Sequence, residues 1–241
     1  MGMRVVAVIQ ARMGSSRLPG KIMMPLAGKP VLQHVIERAS CADFAEVVTA
    51  LPDRAVDDVA AQLAAQSGAT VVRGDEDDVL SRYLLAARST NADAIMRITA
   101  DCPLIDPDVL DAMIAVFVGG ACDLVTNARV RTFPRGLDAE LFTREALETM
   151  AAEVVTGPHR EHVTPYLYAH PERFRIHDHC ADTDLSHWRL TLDTPEDLIL
   201  LMRIFELATH PEALRLCGVM AIINAHPELL NINAIVQQKE I

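Results

Sequence analysis

Short apolar runs alternate with longer amphipathic segments through the first half of the chain. The runs are rich in Val, Ile and Ala and predict four buried strands, at positions 5–9, 46–51, 69–72 and 94–99. Between and after these strands, apolar residues recur at helical spacing. A third helix is predicted at positions 79–88, and three further helices have predicted buried stripes: Val31, Leu32, Val35, Ile36 and Ala39; Val56, Val59, Ala60 and Leu63; and Val109, Leu110, Met113, Ile114 and Phe117. Strands separated by such helices define βαβ units, so we expect an α/β fold with a mainly parallel sheet and helices on both faces.

The alternation fails between positions 127 and 187, where prolines and histidines interrupt the regular periods. We interpret 127–187 as an irregular insertion within one domain spanning 1–241, and we expect it to cover the substrate or to contact a second subunit. An ordinary irregular subdomain is the alternative. Order returns with a predicted strand at 188–192 and a helix that is capped by Thr194 and Asp197.

Composition limits the class of protein. Half of the 241 residues are hydrophobic, yet no apolar run approaches the roughly 20 residues that span a bilayer. The first apolar stretch is short and leads into charged residues, unlike a signal peptide, so we expect a cytoplasmic chain with no membrane partner. A formal net charge of −11 argues against nucleic-acid binding. The five cysteines form no C-x-x-C pair and are expected to be reduced thiols.

The first strand runs directly into a loop, 10–21, that combines small residues with three cations, Arg12, Arg17 and Lys21. Small residues leave backbone N–H groups free to point inward, and the carboxyl end of a parallel strand is where such folds bind phosphates. The loop is not a P-loop, because Ile22 stands where that motif has Ser or Thr, and it contains no G-x-G-x-x-G turn. We therefore predict a polyphosphate site of another type; a basic surface loop is the alternative.

Two aspartates follow predicted strands. Asp101 comes after the fourth strand and Asp193 after the last one. Mg²⁺ is held by one or two carboxylates together with substrate phosphate oxygens, so the pair predicts a magnesium site near loop 10–21. Thr194 already caps the following helix, which leaves the Asp193 side chain free for a metal. The alternatives are an Asp101 that satisfies loop amides and an Asp193 that only favours the helix dipole.

Other polar residues in the sequence are interpreted one by one, and most of them indicate structural roles. Asp106 before Pro107 and the acidic run 75–78 indicate helix N-termini. Arg73 ends the third strand, within reach of a base or a phosphate. The histidines between 159 and 179 match no standard zinc spacing, and no nucleophile elbow occurs in the sequence.

Seven motifs occur in order along the chain: I-Q-A-R-M-G-S-S-R-L-P-G-K at 9–21, L-A-G-K-P at 26–30, R-G-D-E-D-D-V-L-S-R-Y at 73–83, I-T-A-D-C-P-L-I-D at 98–106, T-F-P-R-G-L-D at 132–138, R-E-H-V-T-P-Y at 160–166 and L-D-T-P-E-D-L at 192–198. Together they resemble the cytidylyltransferases that activate acidic sugars. The most similar branch is the one named for spore-coat polysaccharide biosynthesis, which is related to the acylneuraminate and 3-deoxy-manno-octulosonate cytidylyltransferases. The resemblance covers nearly the whole chain.

The resemblance implies a glycosyltransferase-A-like nucleotidyltransferase fold, a homodimer, and the use of CTP and Mg²⁺ to activate an acidic sugar. It implies catalytic roles for Arg12, Lys21, Asp101 and Asp193, with both aspartates as magnesium ligands. Nucleotide contacts are expected from Gln10, Ala11, Arg12, Gly14, Ser15, Arg17, Lys21, Arg73 and Thr99, and sugar contacts from Arg135, Asp138, Arg160, Glu161 and His162. Thr99 departs from the pattern, because the acylneuraminate and octulosonate enzymes commonly have Gln there to read cytosine. The choice of base therefore stays open.

The expected reaction is transfer of CMP from CTP to a hydroxyl of an acidic sugar, with release of pyrophosphate, in surface-polysaccharide biosynthesis. A metal that polarises the α-phosphate and lowers the pKa of the hydroxyl removes the need for a protein base. Two alternatives remain. One is a glycosyltransferase that uses a nucleotide-sugar, although Cys102 and Pro103 after Asp101 leave no D-x-D motif. The other is a non-catalytic nucleotide-binding protein.

Overall fold

A mixed sheet of seven strands lies at the centre of the residues that the structure, a computed structural model, describes: 2–155 and 157–238, without the side chains of Pro158, Pro211 and Glu212. The strand order is β5-β4-β1-β6-β8-β7-β9. The strands are β1 (Val5–Gln10), β4 (Glu46–Pro52), β5 (Thr70–Gly74), β6 (Ala94–Thr99), β7 (Leu124–Thr126), β8 (Glu140–Thr143) and β9 (Ile176–Asp178), and β2 (Pro25–Leu26) and β3 (Lys29–Pro30) form a separate small hairpin. Strands β5, β4, β1 and β6 are parallel, whereas β8 is antiparallel to both of its neighbours.

Helices cover both faces of this sheet. They are α1 (Val31–Ala39), α2 (Asp58–Gln66), α3 (Val79–Ser89), α4 (Pro107–Gly119), α5 (Arg144–Glu153), α6 (Pro158–His162), α7 (Pro165–Ala169), α8 (Pro195–Leu207) and α9 (Leu216–Ala225), with short 3-10 turns at Lys21–Met23, Ala55–Asp57, Pro211–Leu214 and Pro227–Asn231. One apolar core joins the sheet to α1, α2, α4, α8 and α9, and a second core joins it to α3, α5 and α7. The predicted α/β class with helices on both faces is confirmed.

Two helix starts follow the predicted capping chemistry. The Asp106 carboxylate accepts the backbone N–H of Asp108 at 2.9 Å at the start of α4. At α8, the Thr194 hydroxyl and the Asp197 carboxylate form a reciprocal capping box, which satisfies N–H groups that the helix itself cannot bond. No helix in the described residues is both long and apolar enough to cross a membrane.

The stretch 127–187 is more regular than its sequence predicts. It supplies β8, which pairs with β6 inside the main sheet, and β9, which forms its edge, as well as three helices. The segment predicted as an insertion therefore also contributes strands to the main sheet. Strand β8 has only four residues, Glu140–Thr143, and β9 has three, so neither is long enough to show a clear period of two.

Two local predictions also fail. Within the described residues, the buried segment 188–192 forms an isolated bridge, Arg135 with Arg189, in place of the expected strand. The stripe predicted for the second helix is only partly buried: Val56, in the turn before α2, and Val59 are each 49% exposed, whereas Ala60 is buried as expected. The buried side of α2 consists of Ala60 and Ala64, and Leu63 is partly buried against the same core.

Candidate active site

A cleft of about 530 Å³ opens where β1 and β6 end. These strands are adjacent and parallel, with Gln10 opposite Thr99, so their carboxyl ends meet at one edge of the sheet. Ala100 continues the pairing by donating its N–H to the Gln10 carbonyl at 3.0 Å. The lining comes from loop 10–22, the end of β6, segments 128–140 and 161–168, positions 191–193, and Gln238.

Loop 10–21 is folded back on itself beside this cleft. Its turn is closed by the Gly20 N–H, which donates to the Met13 carbonyl at 3.0 Å, and Gly20 has φ +71°, a conformation that favours glycine. The Met13 N–H donates to the buried Asp57 carboxylate at 2.7 Å, which ties the loop to the turn before α2. The loop thereby presents the side chains of Arg12 and Arg17 to the cleft.

The Lys21 ammonium lies between the two predicted aspartates. Its Nζ is 2.5 Å from Asp101 Oδ2 and 2.7 Å from Asp193 Oδ1, and all three side chains are largely buried. The aspartates come together because the Leu192 N–H donates to the Asp101 carbonyl at 2.8 Å, which holds the segment before α8 against the end of β6. The structure therefore brings the basic loop and both carboxylates into one cluster.

Asp193 has more partners than the sequence predicts. Besides Lys21, its carboxylate contacts Arg17 at 2.8 Å and Arg189 at 2.7 Å. The sequence did not predict these arginine contacts, which leave the Asp193 carboxylate beside three cations. The capping role is nevertheless filled elsewhere, as expected, because the Asp197 carboxylate accepts the N–H groups of Asp193 and Thr194.

The charges in this cluster stabilise one another. Burial by itself lowers the pKa of Lys21, but the charges of Asp101 and Asp193 outweigh burial and raise that pKa overall. Burial likewise raises the pKa of Asp193, and its contacts with Lys21, Arg189 and Arg17 outweigh burial and lower that pKa overall. Because the pKa is lower than in the unfolded chain, ionised Asp193 stabilises the fold above about pH 4 and loses this contribution as the pH falls.

The donor set at this cluster fits a divalent cation that also binds phosphate. The carboxylates of Asp101 and Asp193 converge on one ammonium, Lys21 Nζ. A hard divalent cation also binds negatively charged oxygen ligands, so the same two carboxylates could coordinate one. Among the residues that the structure describes, no group of three or more His, Cys, Asp or Glu side chains is suited to a metal. Asp101 and Asp193 therefore suit Mg²⁺, whose remaining ligands are typically water and substrate oxygens, and are too few for a closed protein site.

Most of the predicted contact residues line the cleft. These are Gln10, Ala11, Arg12, Gly14, Ser15, Arg17, Lys21, Thr99, Asp101, Arg135, Asp138, Glu161, His162 and Asp193. The Oε1 atom of Gln10 is buried and has no hydrogen-bond partner in the described chain, so it is available to a ligand donor. Asp138 is already paired with Arg131 at 2.5 Å.

Arg73 and Arg160 do not line the cleft, contrary to their predicted contact roles. The Arg73 guanidinium donates to Asp58 and to the Pro52 and Arg54 carbonyls. The Arg160 guanidinium donates to Asp78 at 2.5 Å and to the carbonyl of Val154. Both guanidiniums are therefore engaged by acceptors in neighbouring loops rather than presented to the cleft.

A buried polar network in the cleft was missed at the sequence level. Arg97 and Glu140 face each other across β6 and β8 and form an ion pair at 2.7 Å. The Tyr168 hydroxyl donates to the same carboxylate and contacts Thr126 Oγ1 at 2.9 Å. The signal in the sequence was Arg97 itself, a charged residue inside an otherwise apolar strand.

The chain belongs to the cytidylyltransferase family, whose family model matches residues 6–208. A solved structure of a cytidylyltransferase from Leptospira borgpetersenii serovar Hardjo-bovis is similar with a TM-score of 0.90 and 35% identity, over 99% of each chain. The 3-deoxy-manno-octulosonate cytidylyltransferase of Solibacter usitatus is 38% identical, over 86% of this chain and 96% of its own. The spore coat polysaccharide biosynthesis protein SpsF of Bacillus subtilis is 29% identical, over 93% and 95%. The resemblance drawn from the motifs is thus confirmed.

Proposed function

We propose that this protein transfers CMP from CTP to a hydroxyl of an acidic sugar and releases pyrophosphate. The observation that carries the proposal is the cluster in which Lys21 bridges Asp101 and Asp193 beside the basic loop. Nucleotidyl transfer needs both halves of this cluster: cations for the departing pyrophosphate and carboxylates for a metal at the α-phosphate.

Each charged residue has a distinct task in this proposal. Arg12 and Arg17 bind the phosphate oxygens, because charge-assisted hydrogen bonds from guanidinium to phosphate are strong and directional. Lys21 exchanges part of its contact with the carboxylates for a phosphate oxygen and stabilises the leaving group. Asp101 and Asp193 would hold Mg²⁺, which supplies charge neutralisation at the α-phosphate and lowers the pKa of the attacking hydroxyl.

The family supports CTP as the donor, and the relatives' names support an acidic acceptor in surface-polysaccharide biosynthesis. In the cleft, the unpartnered Gln10 amide oxygen lies opposite Thr99 in the strand register. A buried acceptor atom at this place suits the amino group of cytosine, which uracil lacks. We propose cytoplasmic action, where both substrates are available.

A screen with all four nucleoside triphosphates tests this proposal. Purified protein and Mg²⁺ are incubated with each triphosphate, with and without 3-deoxy-manno-octulosonate or N-acetylneuraminate, and pyrophosphate is measured. We expect release that requires CTP and an acidic sugar together. If pyrophosphate is released with another nucleoside triphosphate instead, the nucleotide donor is not CTP. The absence of release under every condition contradicts the transferase proposal.

We also propose that the protein is a homodimer and that 127–187 contributes to the contact. Among the residues of this range that the structure describes, the large apolar side chains of Val130 and Val155 are 49% and 78% exposed. Light scattering at high micromolar concentration should give twice the chain mass of 26.4 kDa. Val155→Asp should lower that mass, whereas Val56→Asp, at an exposed site in the turn before α2, should not. A monomer mass for the unmodified protein contradicts the proposal.

A further inference from the structure

Six arginine and lysine side chains line the described part of the cleft, and five of them contact a carboxylate of the protein. The pairs are Arg12 with Glu161 at 3.6 Å, Arg17 with Asp193 at 2.8 Å, Lys21 with Asp101 and Asp193, Arg97 with Glu140 at 2.7 Å, and Arg131 with Asp138 at 2.5 Å. Arg135 is the exception. Within residues 2–155 and 157–238, no carboxylate lies within ion-pair distance of its guanidinium.

The backbone holds Arg135 firmly in place. Its N–H donates to the Trp188 carbonyl at 3.0 Å, and its carbonyl accepts the Leu190 N–H at 2.7 Å. The next residue, Gly136, has φ +106°, and a Cβ there would lie 2.5 Å from the Leu190 carbonyl carbon. Only glycine allows this approach, so the turn around Arg135 is anchored to segment 188–190 before any ligand binds.

The electrostatic surroundings of Arg135 favour an anion. Burial lowers the pKa of this guanidinium, and the nearby charge of Arg131 lowers it further. Asp138 opposes these effects, and Arg189 adds a smaller lowering of the same pKa. The group stays protonated, because an arginine pKa lies far above neutral pH. A guanidinium among other cations gains more from a bound anion than one already paired with a carboxylate.

The location of Arg135 relates this anion site to the reacting groups. Segment 188–190 contains Arg189, which contacts Asp193 at 2.7 Å, so a direct chain of contacts joins Arg135 to the carboxylate cluster. In a 2-keto sugar acid, the carboxylate and the anomeric hydroxyl are attached to the same carbon. A group that binds the carboxylate therefore also positions the hydroxyl for attack.

We propose that Arg135 binds the carboxylate of the acceptor sugar, an inference that rests on the function proposed above. The planar guanidinium matches a carboxylate with two parallel hydrogen bonds, which Lys cannot reproduce. Arg131 and Asp138 neutralise each other beside it and shape the turn. Arg12, Arg17 and Lys21 bind the phosphates of the nucleotide in this proposal.

The test compares Arg135→Gln with the unmodified protein, using 3-deoxy-manno-octulosonate, N-acetylneuraminate and the carboxamide of each. The loss of a charge-assisted contact predicts a KM for the acids that is about 10- to 100-fold higher. The affinity for CTP, measured without acceptor, should change little. The preference of the unmodified protein for acid over carboxamide should largely disappear in the variant. Arg173→Gln, which removes a cation that pairs with Glu153 outside the cleft, is the matched charge control.

A second measurement does not depend on turnover. The Nε–H resonance of Arg135, identified by its loss in Arg135→Gln, should shift in NMR spectra when either acid is added and should not shift with the carboxamides. A shift produced by CTP alone assigns the site to phosphate and overturns the proposal, as does the absence of any shift. If no acid supports pyrophosphate release but the resonance still shifts with acid, the reaction proposed above fails while the carboxylate site stands.

Discussion

Replacing Asp101 with Asn should lower the rate of pyrophosphate release by about a hundredfold or more. The amide keeps the shape of the side chain but removes one of two negative charges that converge on the Lys21 ammonium. Mg²⁺ binds hard, charged oxygens and gives up water reluctantly, so a neutral amide is a poor replacement. The loss should appear across a Mg²⁺ titration, because metal stabilisation of the α-phosphate contributes several kcal/mol.

The fold of Asp101→Asn should survive, because its carboxylate is not a helix cap and its main partner is Lys21. Thermal melting measures whether the Asp101→Asn protein is folded.

Asp193→Asn should lose activity on the same scale and also melt at a lower temperature, because the Asp193 carboxylate contacts two arginines besides Lys21. Asp108→Asn is the matched control: Asp108 pairs with Arg215 at 2.7 Å and does not line the cleft. Near-normal rates in a folded Asp101→Asn protein contradict the metal assignment.

Lys21→Met should slow turnover or weaken triphosphate binding by about one to two orders of magnitude. The variant retains the length of the side chain but removes a charge-assisted phosphate contact. It should also bind Mn²⁺ more tightly when no nucleotide is present, because no ammonium then occupies the position between Asp101 and Asp193. Free Mn²⁺ measured by electron paramagnetic resonance reports this second effect without any need for turnover.

Lys29→Met is the control for Lys21→Met. Lys29 pairs with Glu37 at 2.7 Å on an exposed surface, so the control removes the same charge without disturbing the cleft. Its kinetics and Mn²⁺ affinity should match those of the unmodified protein. Unchanged steady-state values in Lys21→Met at saturating Mg²⁺ would show that loop 10–21 is not the phosphate site.

The cluster of Lys21 and the two aspartates could be predicted, because most of its residues follow the carboxyl ends of strands that the sequence pattern identifies. Arg12, Lys21 and Asp101 each come shortly after a strand of strong apolar pattern, and the carboxyl ends of parallel neighbours meet at one edge. The prediction that Asp193 lies near Asp101 is confirmed, although the strand on which that prediction was based does not form. The buried segment 188–192 still lies against Asp101 through the Leu192 N–H.

The polar floor of the cleft could not be predicted, because it depends on pairing between distant strands. Arg97 stands out in the sequence, but its partner Glu140 is known only once β8 is seen to pair with β6 in that register. Arg73 and Arg160 were predicted to contact the ligand, but they do not line the cleft. Motif position puts them near the site, but the sequence does not reveal which way a long side chain turns, and both turn to nearby acceptors.

The most direct test of the central claim is the fate of the α-phosphate of CTP. Phosphorus NMR of a reaction with Mg²⁺, CTP and an acidic sugar should show a new phosphodiester resonance that grows in equal amount with pyrophosphate. In Asp101→Asn both resonances should grow about a hundredfold more slowly or not at all. Pyrophosphate formed without a phosphodiester, or a phosphodiester formed at the normal rate in that variant, would contradict nucleotidyl transfer at the Lys21–Asp101–Asp193 cluster.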